Sequence, residues 1–329
     1  MLADGTDHDL LSELLKGVRL SGSVFLNGRF SAPFGVVSPA RWRPDQPAGH
    51  LRHVSVFHLI AQGGCRMQMP NGVEVDLLAG DLVLLPFTPE HRFWTGGHDG
   101  PFTEADDIVT PGPVSGLGVI NHGGGGELTR LVCGFLESAE LAPAPLFRTL
   151  PSILIEKTGE DPVLAATAAS VTGLMDRLEQ ESQPGAPLVL GRMMELLFVE
   201  VLRRHANRLP DGEKGVLAAA RDPLIARALA AMHRDAAHPW TVEALAREAG
   251  TSRTVLSERF GALLGQPPMD YLGSWRMQLA GDLLRTTRKP LIDVAEEVGY
   301  ASVAAFSRAF SRTVGVSPGA WRDGAGGTV

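Results

Sequence analysis

The stretch "PLIDVAEEVGYASVAAFSRAF", residues 290–310, decides the fold of the C-terminal part of this chain. Gly299 can supply the left-handed backbone that ends one helix and starts a tight turn. Ser302 can cap a second helix, and Phe306 and Phe310, four residues apart, share one face of that helix. The stretch therefore predicts a helix-turn-helix whose second helix is anchored in a core by two phenylalanines.

The same pattern occurs about 50 residues earlier, in "VEALAREAGTSRTVLSERFGALLG" at residues 242–265. The later copy has one extra residue in its turn, and six pairs of positions match: Ala246 with Ala295, Gly250 with Gly299, Ser252 with Ser302, Leu256 with Phe306, Phe260 with Phe310, and Gly265 with Gly315. Residues 267–285 predict one longer helix between the copies, beginning at two prolines. A single copy would also suit an α-hairpin in a bundle, whereas two joined copies favour a double helix-turn-helix.

This region resembles the DNA-binding domain of AraC/XylS-type transcription regulators over about residues 223–322. The resemblance is carried by "ALAREAGTSRTVLSERF", "YLGSWRMQLAGDLL", "PLIDVAEEVGYASVAAFSRAF" and "GVSPGAWR". It implies two recognition helices, from about Ser252 to Leu264 and from about Ser302 to Val314. These helices would enter successive major grooves on one face of DNA, about 34 Å apart.

The anchoring residues predict which side chains of the recognition helices face outward. These are Arg253, Thr254, Ser257 and Glu258 in the first copy, and Val303, Ala304, Ser307 and Arg308 in the second. The resemblance implies base contacts from Thr254, Ser257, Glu258, Ala304 and Arg308. Arg308 suits a bidentate contact with guanine, and Ala304 suits a thymine methyl group. The alternatives are a phosphate contact or surface ion pair for Arg308 and a solvated charge for Glu258.

The predicted DNA-binding set is therefore Arg253, Thr254, Ser257, Glu258, Ser302, Ala304, Ser307, Arg308 and Arg312. Five basic residues are candidates for phosphate contacts, with simple solvation as the alternative: Arg253, Arg259, Arg288, Lys289 and Arg312. Residues 223–329 contain 12 Lys+Arg against 10 Asp+Glu, whereas residues 1–222 contain 18 against 27. This charge asymmetry is typical of a binding module joined to a sensor or catalytic module.

The N-terminal part of the chain predicts β structure followed by helices. Residues 20–135 contain short apolar runs between Gly, Pro and Asn turns, as in a sandwich or small barrel. Residues 95–127 are rich in Gly, Pro and Asp and include "HGGGGE" at residues 122–127, which predicts a flexible loop. Residues 160–208 have helical spacing interrupted by "QPGAP". We expect this α-hairpin to close the β domain, to form a dimer interface, or both.

Residues 80–91 contain a motif of the second cupin type. Gly80, Pro86 and His91 have the spacing G-x5-P-x4-H, with Thr88 where a glycine is usual. His58 lies near the place of the acidic ligand in the first cupin motif, whose His-x-His pair is missing. Over about residues 8–150 the chain resembles the cupin-type ligand domain found N-terminally in one branch of the AraC family.

Three kinds of signal are compatible with this domain. His58, Cys65, His91 and Cys133 are residue types that bind zinc-like divalent metals, and His122 is a possible addition. Alternatively, Cys65 has a pKa lowered by the neighbouring Arg66 and is oxidised or pairs with Cys133. The third possibility is a small organic effector, with the cysteines serving only as packing residues.

These patterns predict a multidomain α+β protein. The expected domains are a cupin-like β-barrel sensor at 1–155, a helical hairpin and linker at 156–215, an all-α double helix-turn-helix at 216–322, and a disordered tail at 323–329. The predicted function is sequence-specific transcription regulation without enzymatic activity; the alternative is a metal-dependent cupin enzyme with a degenerate helical tail. Expected partners are promoter DNA, a second copy of the chain, an unidentified small effector and, for an activator, RNA polymerase. Two cysteines and the absence of a signal-peptide pattern or a long apolar run predict a cytoplasmic protein without membrane contact.

Overall fold

The structure is a computed structural model that describes residues 20–39, 53–87, 89–96, 100–112, 117–138, 150–181, 183–210 and 212–324. Its strands are β1 (Leu20–Ser31), β2 (Gly35–Ser38), β3 (His53–Gln62), β4 (Gly64–Gln68), β5 (Glu74–Leu78), β6 (Asp81–Leu85), β7 (His91–Trp94), β8 (Thr103–Glu104), β9 (Thr110–Pro111), β10 (Gly118–Gly123), β11 (Leu128–Ser138) and β12 (Leu154–Lys157). Its helices are α1 (Ala105–Ile108), α2 (Pro162–Gln180), α3 (Ala186–Arg208), α4 (Val216–Arg221), α5 (Pro223–Arg234), α6 (Val242–Ala249), α7 (Arg253–Leu264), α8 (Pro268–Thr286), α9 (Leu291–Glu297), α10 (Val303–Val314) and α11 (Pro318–Gly324).

Two β-sheets form the N-terminal domain. The larger sheet has the strand order β12-β6-β3-β11-β1-β10-β9, and the smaller has the order β5-β4-β7-β2-β8. Both faces of β3 are buried, because Ile60 belongs to the core that includes smaller-sheet residues while Phe57 and Leu59 belong to the core shared with the helices. This double burial explains why "VSVFHLI" is almost continuously apolar.

The helical hairpin α2–α3 covers the larger sheet. Helix α3 packs closely on β1, and a Cβ atom at Gly191 would overlap the carbonyl oxygen of Gly22, while a Cβ at Gly22 would overlap that of Gly191. Buried side chains on α3, including Phe198 and Val201, belong to the same core as Phe57 of the sheet. The predicted hairpin therefore closes the β domain. Strand β12 pairs with β6, so the predicted boundary at residue 155 falls inside a strand of the sheet.

In "HGGGGE", residues 124–127 form a loop between β10 and β11, but the rest of the described part of segment 95–127 is more regular than its composition predicts. It contains β8, α1, β9 and β10, and β10 pairs in parallel with β1. Local composition favoured a loop, but the tertiary partner β1 supplies the backbone hydrogen bonds that the segment cannot make alone.

Helices α4–α11 form the C-terminal region, with α4 beginning at Val216. The first residues of the predicted tail, Asp323 and Gly324, belong to α11, and the rest of that tail lies outside the described residues. In the described part of the chain, no helix combines the length and apolarity needed to cross a membrane. The order of β domain, hairpin and double helix-turn-helix confirms the predicted architecture.

Candidate nucleic-acid interface

The two predicted turns have the same backbone geometry. Gly250 and Gly299 have φ values of +70° and +81°. In each turn the glycine N–H donates to the carbonyl three residues earlier, and the next residue, Thr251 or Tyr300, donates to the carbonyl five residues earlier. This is the Schellman arrangement, which requires a residue in the left-handed conformation and so explains both glycines.

The recognition helices α7 and α10 begin and are held as the sequence predicts. The hydroxyl oxygens of Ser252 and Ser302 accept hydrogen bonds from backbone N–H groups three residues later. The predicted anchors are fully buried: Leu256, Phe260, Phe306 and Phe310. Because these residues fix one face of each helix inside a core, the opposite face points away from the protein.

Most of the predicted DNA-binding residues lie on these outward faces. The exposed ones are Arg253, Thr254, Ser257, Glu258, Ser302, Ala304, Arg308 and Arg312, while Ser307 and Val303 are half-buried. The first four belong to α7 and the others to α10 or its cap. The structure thus brings the predicted residues together as two separate groups, one on each recognition helix.

Several of the candidate cations have acidic partners. Arg253 lies 3.0 Å from Glu243, Arg259 lies 2.5 Å from Asp222, and Lys289 forms an ion pair with Glu297. Among the residues that the structure describes, Arg308 and Arg312 take part in no ion pair. The predicted phosphate contacts are therefore not equivalent, because the charges of the paired cations are partly neutralised by a carboxylate whereas those of Arg308 and Arg312 are not.

Helix α8 connects the two helix-turn-helix units. Its N-terminal half, with Tyr271 and Trp275, belongs to the core that contains Leu256 and Phe260. Its C-terminal half, with Met277 and Leu284, belongs to a separate core that contains Phe306 and Phe310. The placement of one recognition helix relative to the other therefore depends largely on this helix.

Arg276, on α8, joins the two units further. Its guanidinium donates to the backbone oxygens of Ala236 and His238 in the first unit, and it lies 5.9 Å from the ring centroid of Tyr300 in the second. A Cβ on Gly299 would come within 2.7 Å of the Ala237 oxygen. The sequence did not reveal the roles of Arg276 and Glu243. Arg276 bonds to residues about 40 positions away, and Glu243 bonds to Arg253 across a turn, so helical periodicity predicts neither contact.

The sensor domain buries a hydrogen-bonded chain of three predicted site residues. His91 Nδ1 lies 2.8 Å from the oxygen of Pro89, His91 Nε2 lies 2.8 Å from His58 Nε2, and His58 Nδ1 lies 3.0 Å from Cys133 Sγ. Because a carbonyl only accepts, a neutral His91 donates from Nδ1 and accepts at Nε2. His58 then donates from Nε2, and its Nδ1 accepts the Cys133 thiol proton.

The four predicted metal ligands do not fit a metal ion in this arrangement. His58 directs its two nitrogens in opposite directions, so His91 and Cys133 cannot share one ion with it. The 2.8 Å separation of the two Nε2 atoms suits a hydrogen bond and is shorter than the roughly 3.3 Å that two zinc bonds of about 2.0 Å at a tetrahedral angle require. Within the described ranges, no group of three or more His, Cys, Asp or Glu residues could hold a metal ion.

The prediction that Arg66 lowers the pKa of Cys65 is wrong. Burial, reinforced by the charge of Asp81, raises the pKa of the Cys65 thiol to about 12. Arg66 is exposed and donates to Asp76 instead. Successive residues of a strand point to opposite faces, so the two neighbours in sequence are separated by the sheet itself. Cys65 and Cys133 are both free thiols.

A cavity of about 810 Å³ lies at one end of the domain, between the two sheets. Its lining combines an ion pair and a hydroxyl with two exposed leucines: Arg66, Asp76, Thr129, Leu78 and Leu128. The core deeper between the sheets is filled by buried side chains such as Met67 and Ile60. The cavity is therefore at the mouth of the domain, and its volume is in the range that holds small organic ligands.

The buried histidines predict a stability that falls in mild acid. Burial lowers the pKa of His91 to about 4, and burial together with His91 lowers the pKa of His58 well below its ordinary value. The unfolded chain, with histidine pKa values near 6.5, binds more protons than the folded chain below that pH. We expect the free energy of unfolding to fall by roughly 1 kcal/mol for each histidine when the pH is lowered from 7.5 to 5.5.

Urea unfolding at the two pH values measures this effect. His91→Gln can keep both hydrogen bonds without titrating, and should reduce the pH dependence by about one proton's contribution. His122→Gln, at a half-buried position on β10, serves as the control. An unfolding free energy that is the same at both pH values would contradict the assignment of neutral histidines.

Two family models match the chain. A cupin model matches residues 9–207, which include both hairpin helices, and a helix-turn-helix domain model matches residues 245–324. A protein of Streptomyces antibioticus, named as an AraC-like transcription regulator, is 32% identical over 322 residues, covering 96% of this chain and 97% of that protein.

Two more distant relatives cover most of the chain, and one solved structure covers about a third of it. The HTH-type transcriptional regulator AlkR of Acinetobacter baylyi is 27% identical over 95% of this chain and 99% of its own length. The RCS-specific HTH-type transcriptional activator RclR of Escherichia coli is 26% identical over 86% of this chain and 88% of its own. The crystal structure of the AdpA DNA-binding domain with a target DNA is 34% identical, covers 31% of this chain and 91% of that chain, and gives a TM-score of 0.30.

Proposed function

The chain belongs to the AraC-like transcription regulators with a cupin-type N-terminal domain, and on that premise we propose that it binds promoter DNA through the outward faces of α7 and α10. The observation that carries the proposal is that two capped and anchored recognition helices share the helix α8. Such an arrangement presents two reading surfaces in one fixed relation, as two successive major grooves require.

Arg308 is the residue we propose for reading a base in the second half-site. It is exposed on α10 and takes part in no ion pair within the described part of the chain, so its guanidinium is available for guanine O6 and N7. Arg308→Ala should weaken binding to the preferred sequence by about 1–3 kcal/mol and should relax preference at one base pair. Quantitative binding to duplexes that vary at single positions measures both effects.

Arg312→Ala is the matched control, because Arg312 is an exposed arginine of the same helix. As a phosphate contact, it should weaken all sequences alike and reduce the slope of affinity against salt by about one. If Arg308→Ala instead weakens binding to all sequences by the same factor, Arg308 contacts a phosphate and not a base. Salt-independent binding by the wild type would contradict the regulator proposal and favour the alternative of a cupin enzyme with a degenerate helical tail.

We further propose that the signal is a small organic molecule bound in the cavity at the mouth of the sensor domain. The poor fit of the buried histidines and cysteines to a metal ion and the raised pKa of Cys65 favour this choice over metal or thiol chemistry at those residues. A thermal-shift screen of small acids, amines and neutral compounds should identify a molecule that raises Tm; at 100 times Kd the gain is about 2.7 kcal/mol.

Leu128→Trp tests the location of that molecule, because Leu128 lines the cavity. The tryptophan should fill the mouth and abolish the Tm increase. Val73→Trp, at another exposed position of the same domain, should leave the increase unchanged. An effector that still stabilises Leu128→Trp would place its site elsewhere.

We propose a homodimer formed by the outer face of α3. Leu188 is 67% exposed and Leu196 is 42% exposed, two helical turns apart, although the opposite face of this helix packs on the sheet. Sedimentation velocity should show a dimer for the wild type and a monomer for Leu188→Glu. A wild-type monomer would exclude this interface.

The remaining assignments follow from promoter binding. We propose a cytoplasmic location, where bacterial promoter DNA is found, and no enzymatic activity. If the protein activates transcription, we propose that it also contacts RNA polymerase. The relative RclR is named as a transcriptional activator.

A further inference from the structure

Beside the tip of the recognition helix, the first helix-turn-helix unit has an ion pair at two positions that are aliphatic in the second unit. In the first unit, Arg253 Nη1 lies 3.0 Å from Glu243 Oε1. In the second unit, Ile292 and Val303 occupy these positions. We propose, on the basis of the proposed promoter binding, that Glu243 positions Arg253 to read a guanine, so that only the first unit selects a G·C pair at this position.

The equivalence of these positions rests on the helix boundaries. Glu243 and Ile292 are the second residues of α6 and α9, and Arg253 and Val303 are the first residues of α7 and α10. The serine caps and buried anchors keep the same spacing in both units. The Glu–Arg pair of the first unit is thus replaced by two aliphatic residues in the second, at the same structural location.

The pair contributes little to stability, because both side chains are mostly exposed, at 71% for Arg253 and 57% for Glu243. Its effect is on the conformation of the arginine. A charge-assisted hydrogen bond through one nitrogen limits the rotamers of the side chain, and the other N–H groups stay available. A guanidinium held in this way loses less conformational freedom when it makes a bidentate contact with guanine O6 and N7.

The second unit offers no such group at its tip. Ile292 is 43% exposed, and the helix begins with Val303 and Ala304. Aliphatic side chains at a major-groove tip can contact thymine methyl groups but cannot accept or donate hydrogen bonds. The first half-site should therefore contain a selected G·C pair that has no counterpart about one helical turn away, where thymine is expected instead.

The test uses the full chain and a pool of DNA duplexes with a randomised segment about two helical turns long, from which bound sequences are recovered and counted. Glu243→Gln should reduce the preference for guanine at one position roughly tenfold, which corresponds to about 1.4 kcal/mol. The base preferences at the other positions and the salt dependence of binding should stay unchanged. Arg253→Lys should lose the same preference, because lysine keeps the charge but cannot form the bidentate contact.

Glu248→Gln is the matched control. Glu248 lies on the same helix and forms a 3.0 Å pair with Arg234, with side-chain exposures similar to those of the tested pair. It should retain the full guanine preference. The proposal is overturned if Glu243→Gln keeps the preference, if both glutamate variants lose it equally, or if Glu243→Gln changes the affinity for all sequences by one factor. A wild type that selects no sequence at all would instead contradict the promoter-binding proposal itself.

Discussion

Phe310→Ala is expected to abolish specific DNA binding while the first helix-turn-helix unit remains folded. Phe310 is fully buried and contacts Phe306 and Trp321 in the core of the second unit. Removing a buried phenylalanine side chain costs about 3–5 kcal/mol. The second core is separate from the first, so we expect the loss to be local.

Hydrogen exchange can separate local from global unfolding. In Phe310→Ala, the amides of α9, α10 and α11 should lose protection, while those of α5, α6 and α7 keep it. Phe310→Leu, which retains most of the buried volume, should cost less than about 1.5 kcal/mol and keep specific binding. Equal loss of protection in both units would show that the two cores unfold as one.

Gly191→Val is expected to destabilise the sensor domain by roughly 3 kcal/mol, at the upper end of the usual cost of overpacking. A side chain at this position would overlap the backbone of Gly22, and neither the helix nor the strand can move without disturbing the core between them. The measurement is the thermal unfolding midpoint of the full chain.

Gly173→Ala provides the control for Gly191→Val. Gly173 is also inside a hairpin helix, but a Cβ there meets no atom within 4 Å. Alanine should therefore stabilise this helix by about 0.5–1 kcal/mol. An unchanged midpoint for Gly191→Val would mean that α3 and β1 separate in solution.

The double helix-turn-helix was predictable because its signals are local. The turn glycine Gly299, the cap Ser302 and the anchors Phe306 and Phe310 act within a few residues of each other, so their spacing reports the structure directly. The sequence also placed His58 and His91 in one candidate site, and they do form a hydrogen bond.

The parts that the sequence did not reveal depend on distant contacts. Arg66 and Cys65 are neighbours in the chain, but their side chains lie on opposite faces of β4, so Arg66 does not lower the pKa of the thiol. Gly191 resembles an unfavourable helix residue until the approach of β1 is known. Glu243 reaches Arg253 across a turn, ten residues away, at a spacing that no helical periodicity predicts.

Helix α8 sets the distance and the angle between the two recognition helices, and with them the spacing of the DNA half-sites that we expect the protein to bind. Because the two recognition helices are held by the two halves of one helix, inserting one residue near Gln278 would rotate the second unit by about 100° and advance it by about 1.5 Å. A base pair inserted between the half-sites turns the DNA by only about 35°. Inserting or deleting single base pairs in the DNA site therefore cannot compensate for a change in the length of α8. We expect the spacing between the two half-sites to be the same for homologues of this protein, even where the bases of the half-sites differ.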